Sequence, residues 1–441
     1  MPPDPFAALL GALPCADGST RFRVWARGRQ QVEVVIERPE PRIVRLEPEP
    51  GGDGYFSATV PDVPIGAHYR YRLDGDESLM APDPASRFQP EGVHGPSEVI
   101  DPSAFAWTDG AWTGLDPEGS HHVLYEMHVG TFTPEGTFDA AAERLSALAE
   151  LGVTVIELMP VAEFAGQFGW GYDGVQLFAP YHVYGSPDAL RRFVDRAHAL
   201  GLGVILDVVY NHFGPDGAYH RLFAPEYYHH EGGANEWGES LNYDGPHCEP
   251  VRDHMTANAA YWIAEYHMDG LRLDATQAIH DTSADHLIAA IARAARAAAG
   301  SRRIRVDAEN GTQDTRLVRP VGQGGYGLDA LWNDDFHHAA VVALTGRAEA
   351  YYADFDGSAR ELAAAVRHGF LYQGQFAKWS QQRRGTPTVG LPGAAFISFL
   401  ENHDQVANSS SGRRVHQLAA PGAYRAMVAL WLLAPQPPML F

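Results

Sequence analysis

Two periods of apolar and polar positions divide this chain. Up to about residue 110 the apolar positions fall in short alternating or apolar runs: Phe22-Arg23-Val24-Trp25, 32–36, Tyr55–Val60 and Tyr69-Arg70-Tyr71-Arg72-Leu73. Alternation puts one face of a strand in a core and the other in water. Gly51-Gly52-Asp53-Gly54 supplies a turn, and the stretch from Pro82 to Pro96 is rich in Pro and Gly. The predicted unit is a small all-β, immunoglobulin-like sandwich over residues 1–110, leading into a linker.

From about residue 121 strands and helices alternate. Strand-like runs lie at 123–128, 153–158, 204–209, 271–274, 304–308, 330–333, 396–400 and 438–441. Between them Phe138, Ala141, Leu145, Leu148 and Leu151 line one helix face, stopped by Gly152. Ser186-Pro187 reads as an N-cap with Pro at the first helical position. Leu190, Phe193, Val194, Ala197 and Leu200 follow it, and Gly201 ends the helix. Further helical patterns cover 257–266, 284–299, 359–368 and 422–433. Eight strands alternating with helices predict a (β/α)₈ barrel over 111–441, with an open doubly wound sheet as the alternative. The last run reaches Phe441, so the chain is expected to end within the eighth strand.

A barrel of this kind keeps its chemistry at the C-terminal ends of the strands. After the third strand comes Asp207-Val208-Val209-Tyr210-Asn211-His212. The fourth is Gly270-Leu271-Arg272-Leu273-Asp274, in which Arg272 and Asp274 share the face opposite the two leucines. A buried Arg–Asp pair is costly unless it is hydrogen-bonded and used. The fifth strand ends in Asp307-Ala308-Glu309-Asn310. The sixth runs into Asn333-Asp334-Asp335-Phe336-His337-His338, and the seventh into Glu401-Asn402-His403-Asp404-Gln405. Clustered carboxylates serve either a hard cation or a glycosidic bond. Arg272, His212 and His403 would repel a bound cation but suit sugar hydroxyls, so neither metal nor cofactor is expected. The run 334–338 is expected to form a loop that touches the leaving-group sugars. Trp237 and Tyr243, before the fourth strand, fit stacking on glucose rings and packing under their loop equally well.

Charge and cysteine usage narrow the partners. A net charge of −22 over 441 residues and a pI near 5.3 argue against nucleic acid or anionic membrane. Cys15 and Cys248 are the only cysteines, which suits a reducing compartment. Met1-Pro2-Pro3-Asp4-Pro5 lacks the cationic and apolar regions of a signal peptide. The apolar run 426–441 is broken by Pro435, Pro437 and Pro438 and is too short to span a bilayer. These features predict a cytoplasmic enzyme or binding protein with a neutral or cationic ligand.

Asp207–His212, Gly270–Asp274, Glu309 and Asn402-His403-Asp404 together resemble the four signature regions of the α-amylase superfamily. Tyr125-Glu126-Met127-His128-Val129-Gly130-Thr131-Phe132, Gly325–Ala330 and Trp332–His338 are similar, within it, to the trehalose-releasing hydrolases. The resemblance implies that Asp274 is the nucleophile, Glu309 the general acid and Asp404 the third carboxylate that grips and distorts the sugar. It further implies that Arg272 keeps Asp274 ionised, that His212 and His403 bind hydroxyls, and that Tyr172 stacks beneath the ring. Asp334 and Asp335 would contact the leaving-group side. Asn211 matches a calcium ligand of many amylases, although the trehalose-releasing branch generally lacks that ion. The implied reaction is retaining hydrolysis of the α-1,4 bond next to the trehalose end of maltooligosyltrehalose. The alternatives are a 1,4-α-glucan branching enzyme, or a barrel that only binds glycan. Two departures stand out: Ala407 and Ser409 replace a family Gly and Arg, and Thr276-Gln277 follow the nucleophile where Val-His is usual.

Overall fold

The computed structural model describes residues 10–115, 121–229, 234–235, 237–409 and 411–441. The expectation for Met1–Pro5 lies outside the described residues.

Thr20–Trp25, Val32–Arg38, Tyr55–Val60 and His68–Leu73 form strands where alternation predicts them. Gly11–Pro14, Arg42–Pro48 and Asp76–Ala81 join them, although their apolar signal is weak. All seven are linked antiparallel, in the order 11–14, 20–25, 55–60, 42–48, 32–38, 68–73, 76–81. The path folds over a core of Phe22, Val24, Val34, Ile36, Phe56 and Tyr71.

The segment after this unit corrects the linker expectation. Asp83, Ser86 and Gln89 are fully buried. The Asp83 carboxylate accepts from the Tyr69 hydroxyl (2.7 Å) and the Ala85 amide (2.8 Å). Gln89 Oε1 accepts from the hydroxyls of Ser86 and Ser97 (2.7 Å each), and its Nε2 reaches the carbonyls of Gly92 and Gly95. Cores are exchanged across this seam: Trp25 packs in the barrel's outer core, and Phe223 packs in the sandwich.

Eight parallel strands close into a barrel, which excludes the open sheet. They are Leu124–Met127, Val155–Leu158, Gly203–Val208, Gly270–Leu273, Arg305–Ala308, Ala330–Trp332, Phe396–Phe399 and Pro438–Leu440. The eighth pairs with the first (Met439 opposite Leu124), and Phe441 follows it. Leu124, Val155, Ile205, Ala330, Ile397, Phe399 and Met439 fill the barrel interior, while Leu271 and Leu273 face the helices. Glycine is required at Gly270, where a Cβ would lie 2.2 Å from the Arg305 carbonyl oxygen.

The helix Pro187–Ala199 begins as expected, with the Ser186 hydroxyl accepting from the Ala189 amide. The 138–151 pattern is instead two short helices, Phe138–Ala142 and Leu145–Leu151, and Leu151 is exposed rather than on the buried face. The pattern at 257–266 belongs to a longer helix, Glu249–Glu265, with Pro250 in its first turn. Most consequential is Asp334–Thr345, a helix where 334–338 was expected to be a loop. Asn333 caps it by accepting from the Phe336 amide (3.2 Å), and two carboxylates sit in its positive first turn. Among the described residues no helix is long and apolar enough to cross a membrane.

Candidate active site

Strand register aligns the chemistry. Asp207 lies opposite Arg272, and Arg272 opposite Asp307, on three adjacent strands. The Arg272 side chain is fully buried and acts as the hub. Its Nη1 donates to both Asp207 oxygens (2.8 and 2.7 Å) and to Asp274 Oδ1 (2.9 Å), and its Nη2 donates to Glu309 Oε2 (2.7 Å). The guanidinium carbon lies 4.0 Å from the centre of the Trp332 ring. One cation thus ties together three carboxylates from three strand ends.

Three negative charges around one positive charge, out of water, cannot all persist cheaply. Burial, opposed by Arg272 and reinforced by Asp274 and Asp404, pushes Glu309 up to about 7. Among the three carboxyl groups bonded to Arg272, Glu309 is therefore the proton holder. Burial raises Asp274 too, while Arg272 pulls it down, as the resemblance implies. Two hydrogen bonds still favour its ionised form, from Arg272 and from Asn211 Nδ2 (3.0 Å). Asn211 Oδ1 in turn meets His212 Nδ1, so the amide is engaged on both sides.

Ala275, directly after the nucleophile candidate, has φ +39°, a left-handed turn that brings its amide to Glu309 Oε2 (3.3 Å). The Thr276 amide and hydroxyl both donate to the Glu309 carbonyl, and Gln277 Oε1 accepts from the Gly311 amide (3.0 Å). The Thr-Gln departure therefore stitches the fourth strand end to the fifth.

Tyr172, after the second strand, donates its hydroxyl to Asp207 Oδ2 (2.7 Å) and stacks on His403 at 4.9 Å. The tight turn before it needs Gly171, whose φ is +88° and whose Cβ would meet the Pro160 carbonyl oxygen at 2.2 Å. His403 opens the short helix His403–Ala407, with Asp404 beside it half exposed. His212 is buried, burial holds its pKa below the ordinary value, and Trp237 stands over it at 6.4 Å. Trp237 is nearly half exposed, whereas Tyr243 is buried with its hydroxyl on the Tyr210 carbonyl. Trp237 therefore fits sugar stacking and Tyr243 fits packing.

The pair at the head of the Asp334–Thr345 helix splits. Burial, with Arg384 opposing and the nearby Glu309, Asp335 and Asp404 adding, pushes Asp334 up to about 7, so it belongs to the carboxylate cluster. Asp335 is fully buried and points away: its Oδ2 accepts from the amides of Leu371 (2.8 Å) and Tyr372 (2.9 Å). Direct sugar contact by Asp335, expected from a loop, does not fit this geometry. His337 and His338 are likewise internal, His337 on the Leu400 carbonyl and His338 among Tyr351, Tyr352 and Phe355. Sequence reasoning missed Glu126, which is buried in the first strand and bound to His403. An acid inside a buried strand is the signal that could have found it.

The alpha-amylase catalytic-domain profile matches residues 99–237, and the profile of carbohydrate-binding module 48, the isoamylase N-terminal domain, matches residues 9–102. A solved alpha-amylase-like protein from Salmonella typhimurium superposes with a TM-score of 0.90 and 43% identity, over 98% of this chain and 72% of that one. At greater distance, a 1,4-alpha-glucan branching enzyme from Burkholderia thailandensis is 34% identical over 74% of this chain and 43% of its own length. The malto-oligosyltrehalose trehalohydrolase of Deinococcus radiodurans is 43% identical over 98% of this chain and 69% of its own length. On that match, carried across both domains and through every strand end just described, the chain belongs to the malto-oligosyltrehalose trehalohydrolase family.

Proposed function

We propose that this site hydrolyses, with retention, the α-1,4 bond next to the trehalose end of maltooligosyltrehalose and sets trehalose free. The observation that carries the reading is that one guanidinium bonds both Asp274 and Glu309, of which Glu309 holds the proton. Carboxyl groups held by two nitrogens of one guanidinium suit the ~5–5.5 Å spacing of retaining enzymes. Asp274 attacks the anomeric carbon as the bond to the leaving oxygen breaks, and Glu309 gives its proton to that oxygen. Glu309, now ionised, takes a proton from water, the oxygen of which attacks the same carbon and releases Asp274. Asp404 and His403 grip hydroxyls of the glucose ring, Tyr172 lies beneath it, and His212 binds beside it. Asp334, with Arg384 3.9 Å away, serves the leaving-group side. The chain acts in a reducing compartment, the cytoplasm, a reading supported by its two unpaired cysteines.

Incubation with maltotriosyltrehalose and, separately, with amylose tests the reading. Free trehalose from the first, and no new α-1,6 linkages in the second, are the expected results. Branch formation without trehalose release overturns the substrate reading in favour of a branching enzyme.

A further inference from the structure

We propose that Glu126 is a positioning residue of the sugar site: it holds His403 as an imidazolium whose Nε2–H is presented to a substrate hydroxyl beside Asp404. The proposal rests on the functional reading above. Glu126 is buried at the end of the first barrel strand. Its Oε1 meets His403 Nδ1, and its Oε2 accepts from the His403 backbone amide (3.1 Å). This two-point grip fixes both the ring and the start of the helix that carries Asp404.

Proton counting gives the charge state. A carboxylate only accepts, so Nδ1 carries a hydrogen. On the ring's far edge, Nε2 lies 3.7 Å from Asp404 Oδ1. A neutral ring protonated at Nδ1 would turn a lone pair toward that anion, and toward any sugar hydroxyl it would act only as an acceptor. The imidazolium donates on both edges. The charged and titratable groups around His403 are Glu126 from the first strand, Asp404 on its own helix, Asp207 from the third, Arg272 from the fourth, Tyr172 stacked on its face, and His128. Burial works against a charge on His403, but Glu126 first and Asp404 second outweigh it and push the ring up to about 9. Glu157 lies in register with Glu126, fully buried, and neither of its carboxyl oxygens has a hydrogen-bond partner among the described residues. Burial and the charge of Glu126 hold Glu157 well above the carboxylate range, so it keeps its proton and competes little for His403.

The test is ¹⁵N NMR of histidine-labelled protein, the His403 signal being assigned by its loss in His403→Gln. In the wild type both ring nitrogens are expected to be protonated near pH 8. Glu126→Gln leaves an oxygen for Nδ1–H but removes the charge, so His403 should titrate about two units lower, about a hundredfold change in proton affinity. KM for maltotriosyltrehalose should then rise about tenfold near pH 8 and stay within about threefold of wild type near pH 6. A singly protonated His403 in the wild type near pH 8, or an equal KM loss at both pH values, overturns the proposal. Should Glu126→Gln not fold, the wild-type spectrum alone decides. Failure to release trehalose would count against the functional reading, while the spectrum would still judge Glu126.

Discussion

Arg272 carries one positive charge against Asp207, Asp274 and Glu309, and the proposed acid–base roles rest on this imbalance. The proton on Glu309 leaves as pH rises through about 7, so hydrolysis of the natural glucan should fall above that pH. Substrates with good leaving groups need no proton at the departing oxygen. For Glu309→Gln we expect a loss of about 10³-fold or more on glucan, while glycosylation by an activated glycosyl fluoride is largely kept and loses its alkaline limb. Rates on both substrates, measured against pH, check this, and equal losses on both would remove Glu309 from the acid's role. Most strand-end residues were legible in the sequence, because barrel geometry says where reactive side chains must lie. Glu126 was not, since its function depends on a partner 277 residues away, His403, which no local pattern reveals.

Among the elements, the run at 334–338 shows how one pattern supports two structures. Charged and imidazole side chains in sequence suggested a solvated loop. Yet Asn333 followed by two acids is also a helix start, with a side-chain cap and charges that complement the dipole. Helical geometry sends Asp334 to the site and Asp335 inward, a division invisible while the run is read as a loop. The 82–96 segment misled for a related reason: Pro and Gly mark irregular backbone but say nothing of burial. Burial pushes Asp83 up to about 6. Relative to an unfolded value of ~3.9, this group's contribution to stability is full below that value and lost as pH rises through about 6, a swing of about 3 kcal/mol. An amide at this position can still accept from Ala85 and can donate to the Tyr69 oxygen. Asp83→Asn should therefore gain stability relative to wild type between pH 5 and pH 8, while Asp83→Ala should cost about 1–3 kcal/mol for the unpaired buried groups it leaves. Thermal melts at the two pH values check both: the two variants should change alike relative to wild type and differ by a constant offset. No change relative to wild type between the two pH values, or equal stability of the two variants, would contradict the account.

For the whole molecule, alternation to residue 110 and a strand–helix rhythm thereafter were enough to find both folds, because each follows from a period that burial imposes locally. How the two units join was not legible. The exchange of Trp25 for Phe223 and the hydrogen bonds around Asp83 and Gln89 depend on pairs far apart in sequence. The same holds for the site, where six strand ends and the turn after the second strand contribute to one constellation. The central claim is that this constellation works through a covalent bond to Asp274. The direct measurement is mass spectrometry of a peptic digest after Glu309→Gln protein has been incubated with a 5-fluoro-α-glucosyl fluoride. That reagent forms the glycosyl-enzyme readily and leaves it slowly. The account expects one added fluorohexose on the peptide containing Asp274. A label on a different carboxylate, or inversion of the product's anomeric configuration with no label at all, would contradict it.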